Sequence, residues 1–412
     1  MTAPAPSAPA TPTTTVIGTG FRWWVAGSIV SIAGDAAFNV ALSWQATAYG
    51  AEAASVVLAL PGLVGAAFLL IAGWATDRLS PRRLLVWSSA AFAVSAAAMT
   101  LMAFLGRLEL AWIAVFAVVI GLRTAVFSPA SVALTRQLVP ADRFGSALSV
   151  RQLITQVASV LGRPLGGALI ALGGLAAAAA ALVVAYFVAF VTVLRTRVPD
   201  QRPPAPSTAS SRSARIGQVF AGVSLVARTP LLRQLVLVTG TAAGVLLPIA
   251  TLLVAVWARD NGAGAIEVGW IVGLMAAANI VVAMIVSLRR PARRLGAVAT
   301  LGLGLVAVAT LGFATASFAV ACIVGALVGV GQGLFATHAA PLVKAVPQEH
   351  MGKAQSVITL AQTLAASVGT LVLGALVAWL GIAASSIVWA VLAALVVVCA
   401  VASPAFRSSI RD

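Results

Sequence analysis

Apolar runs of about twenty residues recur along this chain, and they constrain its fold more than any other feature. Two of them are residues 56–72 and 84–105, each long enough to cross about 30 Å of hydrocarbon as an α-helix. Hydrophobic residues make up 61% of the sequence, and the mean hydropathy is +1.05, more than the core of a water-soluble domain requires. The chain is therefore predicted to be an all-α polytopic membrane protein that contacts the lipid bilayer.

Apolar windows of this length predict about 12 transmembrane helices in two six-helix halves. The predicted spans are 22–47, 55–75, 83–105, 111–134, 146–170, 174–194, 231–257, 266–288, 295–314, 317–341, 353–376 and 381–402. A polar stretch rich in Pro and Ser separates the two sets and is typical of a linker. The predicted organisation is a disordered N-terminal tail (1–20), an N-terminal half (21–194), a cytoplasmic linker (195–230), a C-terminal half (231–403) and a cytoplasmic tail (404–412).

The formal net charge of +16 is distributed along this topology in a way that indicates orientation. With the N-terminus inside, only Arg107 and Arg259 lie in outer loops, and Arg123, Arg151 and Arg163 lie within spans. The other 21 of the 26 Lys and Arg residues then face the cytoplasm. This pattern predicts a multi-pass protein of the inner (cytoplasmic) membrane with both termini in the cytoplasm, and it argues against nucleic-acid binding.

A sequence repeat supports the division into halves. The stretch VPADRFGSALSV, residues 139–150, reappears as VPQEHMGKAQSV at residues 346–357, in each case just before the fifth helix of a set. Two halves that repeat in the same orientation are a known plan for secondary transporters.

The charged connection GWATDRLSPRRLL, between the second and third spans, resembles the signature loop of the major facilitator superfamily. The loop residues that match that signature are Gly73, Asp77, Arg78, Arg82 and Arg83. The resemblance implies a gating loop that holds the cytoplasmic side of the two halves closed. A solvated loop that only fixes the orientation is the alternative.

Within that superfamily, the chain resembles the drug:proton antiporter-3 branch, which includes macrolide and siderophore exporters. Three stretches carry this resemblance: SIAGDAAFNVALSW in helix one, FSPASVALTRQLVP at the end of helix four, and LGRPLGG in helix five. The last is close to an antiporter motif, except that Arg163 occupies the usual proline position and Pro164 follows it.

Asp35 is the one acid placed deep within a predicted span, since the other acids fall at span ends or in connections. An ionised carboxylate is costly in hydrocarbon, so it needs a partner, a water-filled space or a proton. Arg123, about mid-span in helix four, is the natural counter-charge, and it resembles a family arginine associated with proton transfer. Asp35 and Arg123 are therefore predicted to be the proton-coupling site. A permanent structural ion pair is the alternative.

Two further intramembrane residues leave several interpretations open. Arg163 could snorkel outward, pair with Asp35, or meet an anionic group of a substrate. His338 could titrate near neutral pH, or it could make a hydrogen bond within a helix interface.

The predicted substrate cavity has few polar points and several aromatic ones, which suits an amphiphilic organic compound better than a sugar. Its predicted lining residues are Phe38, Asn39, Phe127, Gln156, Arg163, Asn279, Gln332, His338 and Gln362.

These features favour a proton-coupled exporter of a small amphiphilic organic compound, such as a drug, an antibiotic or a siderophore, that works by alternating access. The alternative is an uptake carrier or uniporter on the same fold, in which Asp35 and Arg123 serve structure only. An enzyme or ATP-driven pump is not expected, because the chain lacks a phosphate-binding loop and a cluster of catalytic acids or histidines. No cofactor or metal is expected, the partners are protons and a small-molecule substrate, and the protein is expected to be a monomer.

Overall fold

The computed structural model of the protein describes residues 19–78, 80–107, 109–140, 143–196, 224, 226–288, 295–315, 317–339 and 348–402. Within these ranges only the backbone is described for residues 69–78, 231, 287, 295, 338–339 and 348–355. The described residues are almost entirely helical and include no strand.

Four separate helices begin the fold. They are α1 (Thr19–Ala46), α2 (Ala51–Arg78), α3 (Pro81–Phe104) and α4 (Leu110–Leu138). Short connections join them, so consecutive helices run antiparallel. The start of α3 has a well-formed cap, because Pro81 occupies its first position and the Ser80 hydroxyl accepts a hydrogen bond from the Arg83 backbone N–H.

Two long helical spans, Phe144–Arg195 and Gln348–Ala402, are each broken once by glycine. Gly174 has a φ of 63° and Gly381 a φ of 75°, a left-handed conformation that side chains with a Cβ rarely adopt. The first break separates α5 (144–172) from α6 (175–195), and the second separates α11 (348–380) from α12 (382–402).

The remaining helices lie between these two spans. Helix α7 runs from Pro230 to Asp260 and contains a π-helical turn, Ile249–Leu253, that follows Pro248. The others are α8 (Ala265–Leu288), α9 (Leu295–Thr310, continued by the 3₁₀ turn Leu311–Ala314) and α10 (Phe318–Ala339). The described part of the chain thus has ten apolar helical spans long enough to cross a membrane, and counting the glycine breaks gives the twelve helices expected from the sequence.

The outer surface of the bundle is apolar. Trp87, Leu172 and Trp379 are 74, 84 and 86% exposed, while Leu42 and Trp257 are enclosed in the core. A surface with many large exposed apolar side chains suits hydrocarbon and would be unfavourable in water.

The helices that precede the linker contact those that follow it near one end of the molecule. We call this end the closed face; it carries the α1–α2 turn at Thr47–Gly50 and the glycine break between α5 and α6. There α2 packs on α11, α5 packs on α8, and α1 packs on α7 and α8. Glycines permit these close approaches, since a Cβ at Gly167 would meet the backbone of Ala265 and one at Gly374 would meet Ser55.

Candidate functional site

Asp35 and Arg123 form an ion pair in the middle of the N-terminal helices. Arg123 Nη1 on α4 lies 3.0 Å from Asp35 Oδ2 on α1, and the two side chains are 9% and 26% exposed, respectively. This is the one ion pair among the residues whose side chains the structure describes. The other carboxylate oxygen also has a donor, because the Tyr186 hydroxyl on α6 donates to Asp35 Oδ1 at 2.5 Å. Charge-assisted hydrogen bonds of this kind are among the stronger ones in proteins.

Three aromatic rings surround the Arg123 guanidinium. Its Cζ lies 5.0 Å from the ring centre of Phe92, 4.8 Å from that of Phe127 and 4.5 Å from that of Tyr186. Ring faces attract a cation, and more strongly when the cation is shielded from water. Arg123 Nη2 is buried and has no hydrogen-bond partner among the described residues.

Close helix packing brings these groups together. Helix α1 approaches α6 at Gly34, where a Cβ would meet the side chain of Ala185, and this contact places Tyr186 beside Asp35. Phe92 of α3 packs edge-to-face on Tyr186, with ring centres 4.6 Å apart. Four helices, α1, α3, α4 and α6, therefore contribute side chains to the site.

A small cavity of about 90 Å³ adjoins the ion pair. Its lining residues are Asp35, Phe38, Asn39, Phe92, Ile120, Arg123, Thr124 and Leu182. This volume is enough for a few water molecules but is well below the several hundred Å³ that a drug-sized ligand requires. Water in this cavity can hydrate the carboxylate and carry a proton to it, but the cavity is too small for an organic substrate.

The remaining predicted cavity residues are spread over six helices. Phe38 is buried against Phe116, and Asn39 on the exposed side of α1 donates to the Asp35 backbone carbonyl at 2.8 Å. Gln156 on α5 is exposed. The structure brings Asp35, Phe38, Asn39 and Arg123 to one cavity. Phe127 is not among the lining residues of this cavity, but its ring contacts the Arg123 guanidinium.

The predicted residues of the C-terminal helices do not join that cavity. Gln332 donates to the Leu246 backbone carbonyl at 3.1 Å and so links α10 to α7. Asn279 on α8 and Gln362 on α11 are each partly exposed. The side chain of His338 lies outside the described residues.

The expected gating loop is described only in part. Gly73, Asp77 and Arg78 belong to the last turns of α2, and their side chains lie outside the described residues. Arg82 donates to the backbone carbonyls of Val193 and Leu194, at 3.3 and 2.5 Å, where α6 ends. A cation at a helix C-terminus stabilises its free carbonyls, so Arg82 ties the loop to its own half. Arg83 is exposed.

Arg163 does not pair with Asp35, which was one of the alternatives. The partner of Asp35 is Arg123, whereas Arg163 Nη1 donates to the Val272 backbone carbonyl on α8 at 3.3 Å. Pro164 packs on Gly273 beside it, so LGRPLGG forms a contact between α5 and α8.

Two features of the site were missed by the sequence reasoning. Tyr186 is one of only two tyrosines in the chain and lies within an otherwise apolar run, which is the sign that could have identified it. Arg259 was assigned only to an outer loop, yet it bridges α7 to α1: its Nη2 donates to the Trp44 carbonyl at 2.8 Å and its Nε to Thr47 Oγ1 at 3.1 Å. The hydroxyl of Tyr186 within an apolar run and the charge of Arg259 near a predicted span end both suggest hydrogen-bond partners. Neither signal indicates which helix supplies the partner.

Comparisons with known proteins agree with this architecture. A family model described as the Major Facilitator Superfamily matches residues 24–287. The multidrug efflux pump Tap of Mycolicibacterium fortuitum is 31% identical over 303 residues, which cover 68% of this chain and 70% of that protein.

Solved structures show the same fold at low identity. A bacterial homologue of the human lysosomal transporter Spinster, in an inward-facing and unoccupied conformation, is 14% identical and superposes with a TM-score of 0.75 over 95% of this chain and 98% of its own. The nucleoside transporter NupG is 12% identical and superposes with a TM-score of 0.67 over 96% of this chain and all of its own. At these identities the likeness concerns the fold alone.

Proposed function

This chain belongs to the Major Facilitator Superfamily and is a multi-pass membrane transporter, and from that premise we propose that it is a proton-coupled exporter of a small amphiphilic organic compound. The observation that carries the proposal is the Asp35–Arg123–Tyr186 site, an ionisable group held midway along α1 and α4 beside a cavity large enough for a few water molecules. Its relative Tap is a multidrug efflux pump, which supports export as the direction.

The proposed cycle uses the two sets of helices as alternating halves, with domain boundaries near residues 195–230. In the form described, contacts between the halves lie at the closed face, which we propose to be extracellular. The opposite end carries the loop with Asp77 and Arg78, and this loop is proposed to close the cytoplasmic side in the other form. Substrate then enters from the cytoplasm or the inner leaflet and leaves when the closed face opens.

The chemistry of the ion pair supports proton coupling. While Asp35 is ionised, it binds Arg123 and accepts the Tyr186 hydrogen bond. Protonation removes the charge that binds Arg123, so the relative stability of the two forms of the transporter changes. A proton and a substrate that each bind one form better are thereby coupled through a shared two-state equilibrium.

Inside-out vesicles with an acid interior provide the test, with a panel of fluorescent amphiphiles of positive, neutral and negative charge as probes. We expect the wild type to concentrate at least one probe when only the proton gradient is supplied. Asp35→Asn should abolish this accumulation but retain exchange of the probe at zero gradient, because the substrate and the proton are separate ligands. Asp35→Glu should retain some coupling, with a changed pH profile.

A matched control is Glu109→Gln, which removes an exposed carboxylate just before α4 and should leave accumulation unchanged. If Asp35→Asn still concentrates the probe, the ion pair is structural and His338 becomes the next candidate. If the wild type only equilibrates the probe, whatever the gradient, the protein is a uniporter. Removing Asp35 leaves the Arg123 cation buried without a counter-charge, so the stability of each variant is measured alongside.

A further inference from the structure

One face of α5 carries a short stripe of polar side chains. Gln152, Gln156 and Arg163 are spaced so that, at about 100° per residue, they lie within about 40° of one another around the helix. The two glutamines are exposed and Arg163 is partly exposed. This polar stripe therefore presents amide groups and a guanidinium in one direction along some three turns of α5.

The stripe faces away from the lipid. The exposed apolar residues of α5 include Leu153, Val157, Leu161 and Leu165, which are 56, 43, 62 and 54% exposed. By the same helical spacing, their mean direction is roughly opposite to that of the polar stripe. Arg163 thus points toward the inside of the protein, which argues against snorkelling along the lipid surface.

The neighbours of Arg163 define where it points. On one side, Gly162 and Gly166 pack on Ala33, Ala36 and Ala37 of α1; on the other, Pro164 packs on Gly273 of α8. Around the axis of α5, Arg163 projects between these two contacts. Its side chain therefore lies between α1 of one half and α8 of the other. It is ten residues before the break at Gly173, or about 15 Å along the helix axis from the closed face.

The charge of Arg163 is not balanced by the described protein. Its one hydrogen bond goes to the neutral carbonyl of Val272, and no described carboxylate lies within 4.0 Å of it. The single acid at this depth, Asp35, is held by Arg123 and Tyr186. A cation inside a membrane is costly without a partner, so a negatively charged group that binds here is stabilised by the charge of Arg163.

From these observations we infer that the transported compound carries a negatively charged group, such as a carboxylate, that binds Arg163. This inference rests on the proposed function and specifies its substrate class. The planar guanidinium can donate to two oxygens of one anionic group side by side, and the amide of Gln156, two turns earlier on the same face, adds a neutral donor. A lipid headgroup would lie about 15 Å away at the membrane surface, so the anion belongs to a compound that enters between the halves.

The experiment compares matched probes that differ only in charge. Naphthalene, biphenyl and fluorene each carry one of three side groups: an acetic acid group, which is ionised at neutral pH (the acetate), the methyl ester of that group, or an ethylamine. The affinity of each compound for the purified full-length transporter in detergent is measured from the concentration dependence of thermal stabilisation. We expect acetates to bind the wild type about tenfold more tightly than the esters and amines. Arg163→Gln should remove that preference, with little change for the esters, and Arg163→Lys should retain part of it.

Arg107→Gln is the matched control, because it removes an arginine charge from an exposed position between α3 and α4 and should leave the preference intact. The inference is overturned if acetates bind no better than esters and amines, including the case in which none binds. It is also overturned if Arg163→Gln weakens acetates and esters equally, since Arg163 would then act only on the helix contact. Binding without a gradient is independent of the vesicle assay, so a charge preference without proton-driven export would contradict the proposed function alone.

Discussion

At the scale of single residues, the main feature is that the two oxygens of Asp35 have different donors. One carboxylate oxygen accepts from a cation, Arg123, and the other from a neutral hydroxyl, Tyr186. The rings of Phe92, Phe127 and Tyr186 surround the same cation. When Asp35 takes up a proton, as we propose, Arg123 loses its counter-charge, and the rings still stabilise the guanidinium. The site is thus built to tolerate both charge states of the carboxyl group.

Tyr186→Phe isolates the contribution of the hydroxyl. The ring remains to pack on Phe92 and Arg123, while the hydrogen bond to Asp35 is lost. A hydrogen bond to a charged group contributes about 1.5–3 kcal/mol, so we expect a decrease of that order in the free energy of unfolding, measured by denaturant titration in micelles.

The pH profile of transport should also change in that variant, because Tyr186 binds the ionised carboxyl. Tyr49→Phe is the matched control, since Tyr49 is the other tyrosine and is 40% exposed. An unchanged stability together with an unchanged profile would show that the hydroxyl has no part in the site.

At the scale of elements, α7 joins the two halves at the closed face. Pro248 is followed by a π-helical turn, and within this turn the Thr251 carbonyl accepts a hydrogen bond from Ser43 of α1 at 2.5 Å. Closer to the surface, Arg259 binds the Trp44 carbonyl and Thr47, and its Cζ lies 4.2 Å from the Trp44 ring centre. These contacts join α1 and α7 across the boundary between the halves and hold that end shut.

Arg259→Gln should weaken this closure. Two hydrogen bonds and a cation–π contact at this exposed site, weakened by solvent, are together worth about 1.4 kcal/mol, so the population open at the closed face should rise roughly tenfold. Spin labels on cysteines at Arg107 and Ser317, one in each half at this face, would report the change as longer distances. For this experiment Cys322 and Cys399 are replaced by alanine.

Arg228→Gln serves as the control because it removes the same charge from an exposed site just before α7, at the opposite end of that helix. It should leave the distance distribution unchanged. If Arg259→Gln also leaves it unchanged, other contacts, such as α5 on α8, keep the face closed.

At the scale of the whole molecule, the arrangement of charge and contact is asymmetric. The described contacts between halves are concentrated at the closed face, and the connections rich in Lys and Arg lie at the other end. Basic connections remain in the cytoplasm during membrane insertion, so we propose that the form described is open to the cytoplasm. Transport then requires breaking the closed-face contacts and forming new ones between the basic ends.

A cysteine introduced at Ser207, in the linker outside the described residues, tests this orientation. We expect an impermeant maleimide added to intact cells to leave it unlabelled until the membrane is permeabilised, because we propose that the linker faces the cytoplasm. Cysteine at Ser317, exposed at the closed face, should be labelled in intact cells. Labelling of the Ser207 variant in intact cells would show that the linker lies outside and that the proposed orientation is wrong.

The sequence by itself determined the helical membrane fold and most helix positions. Apolar length is a local property, since hydrocarbon leaves a spanning backbone few alternatives to a helix that satisfies its own hydrogen bonds. The same reasoning singled out Asp35 and Arg123, because charges in such runs are rare. Their proposed role in coupling stays a prediction, as do the domain boundaries and the gating role of Asp77.

Only the tertiary structure decided which polar groups meet. Tyr186 lies 151 residues from Asp35, and Arg259 lies 215 residues from Trp44, and no local pattern relates such pairs. The same holds for Arg163: the sequence left open snorkelling, pairing with Asp35 and binding an anion, and the packing of α5 between α1 and α8 fixed its direction. Hydrocarbon dictates the helices one at a time, whereas the contacts between them depend on how small residues allow particular helix pairs to approach.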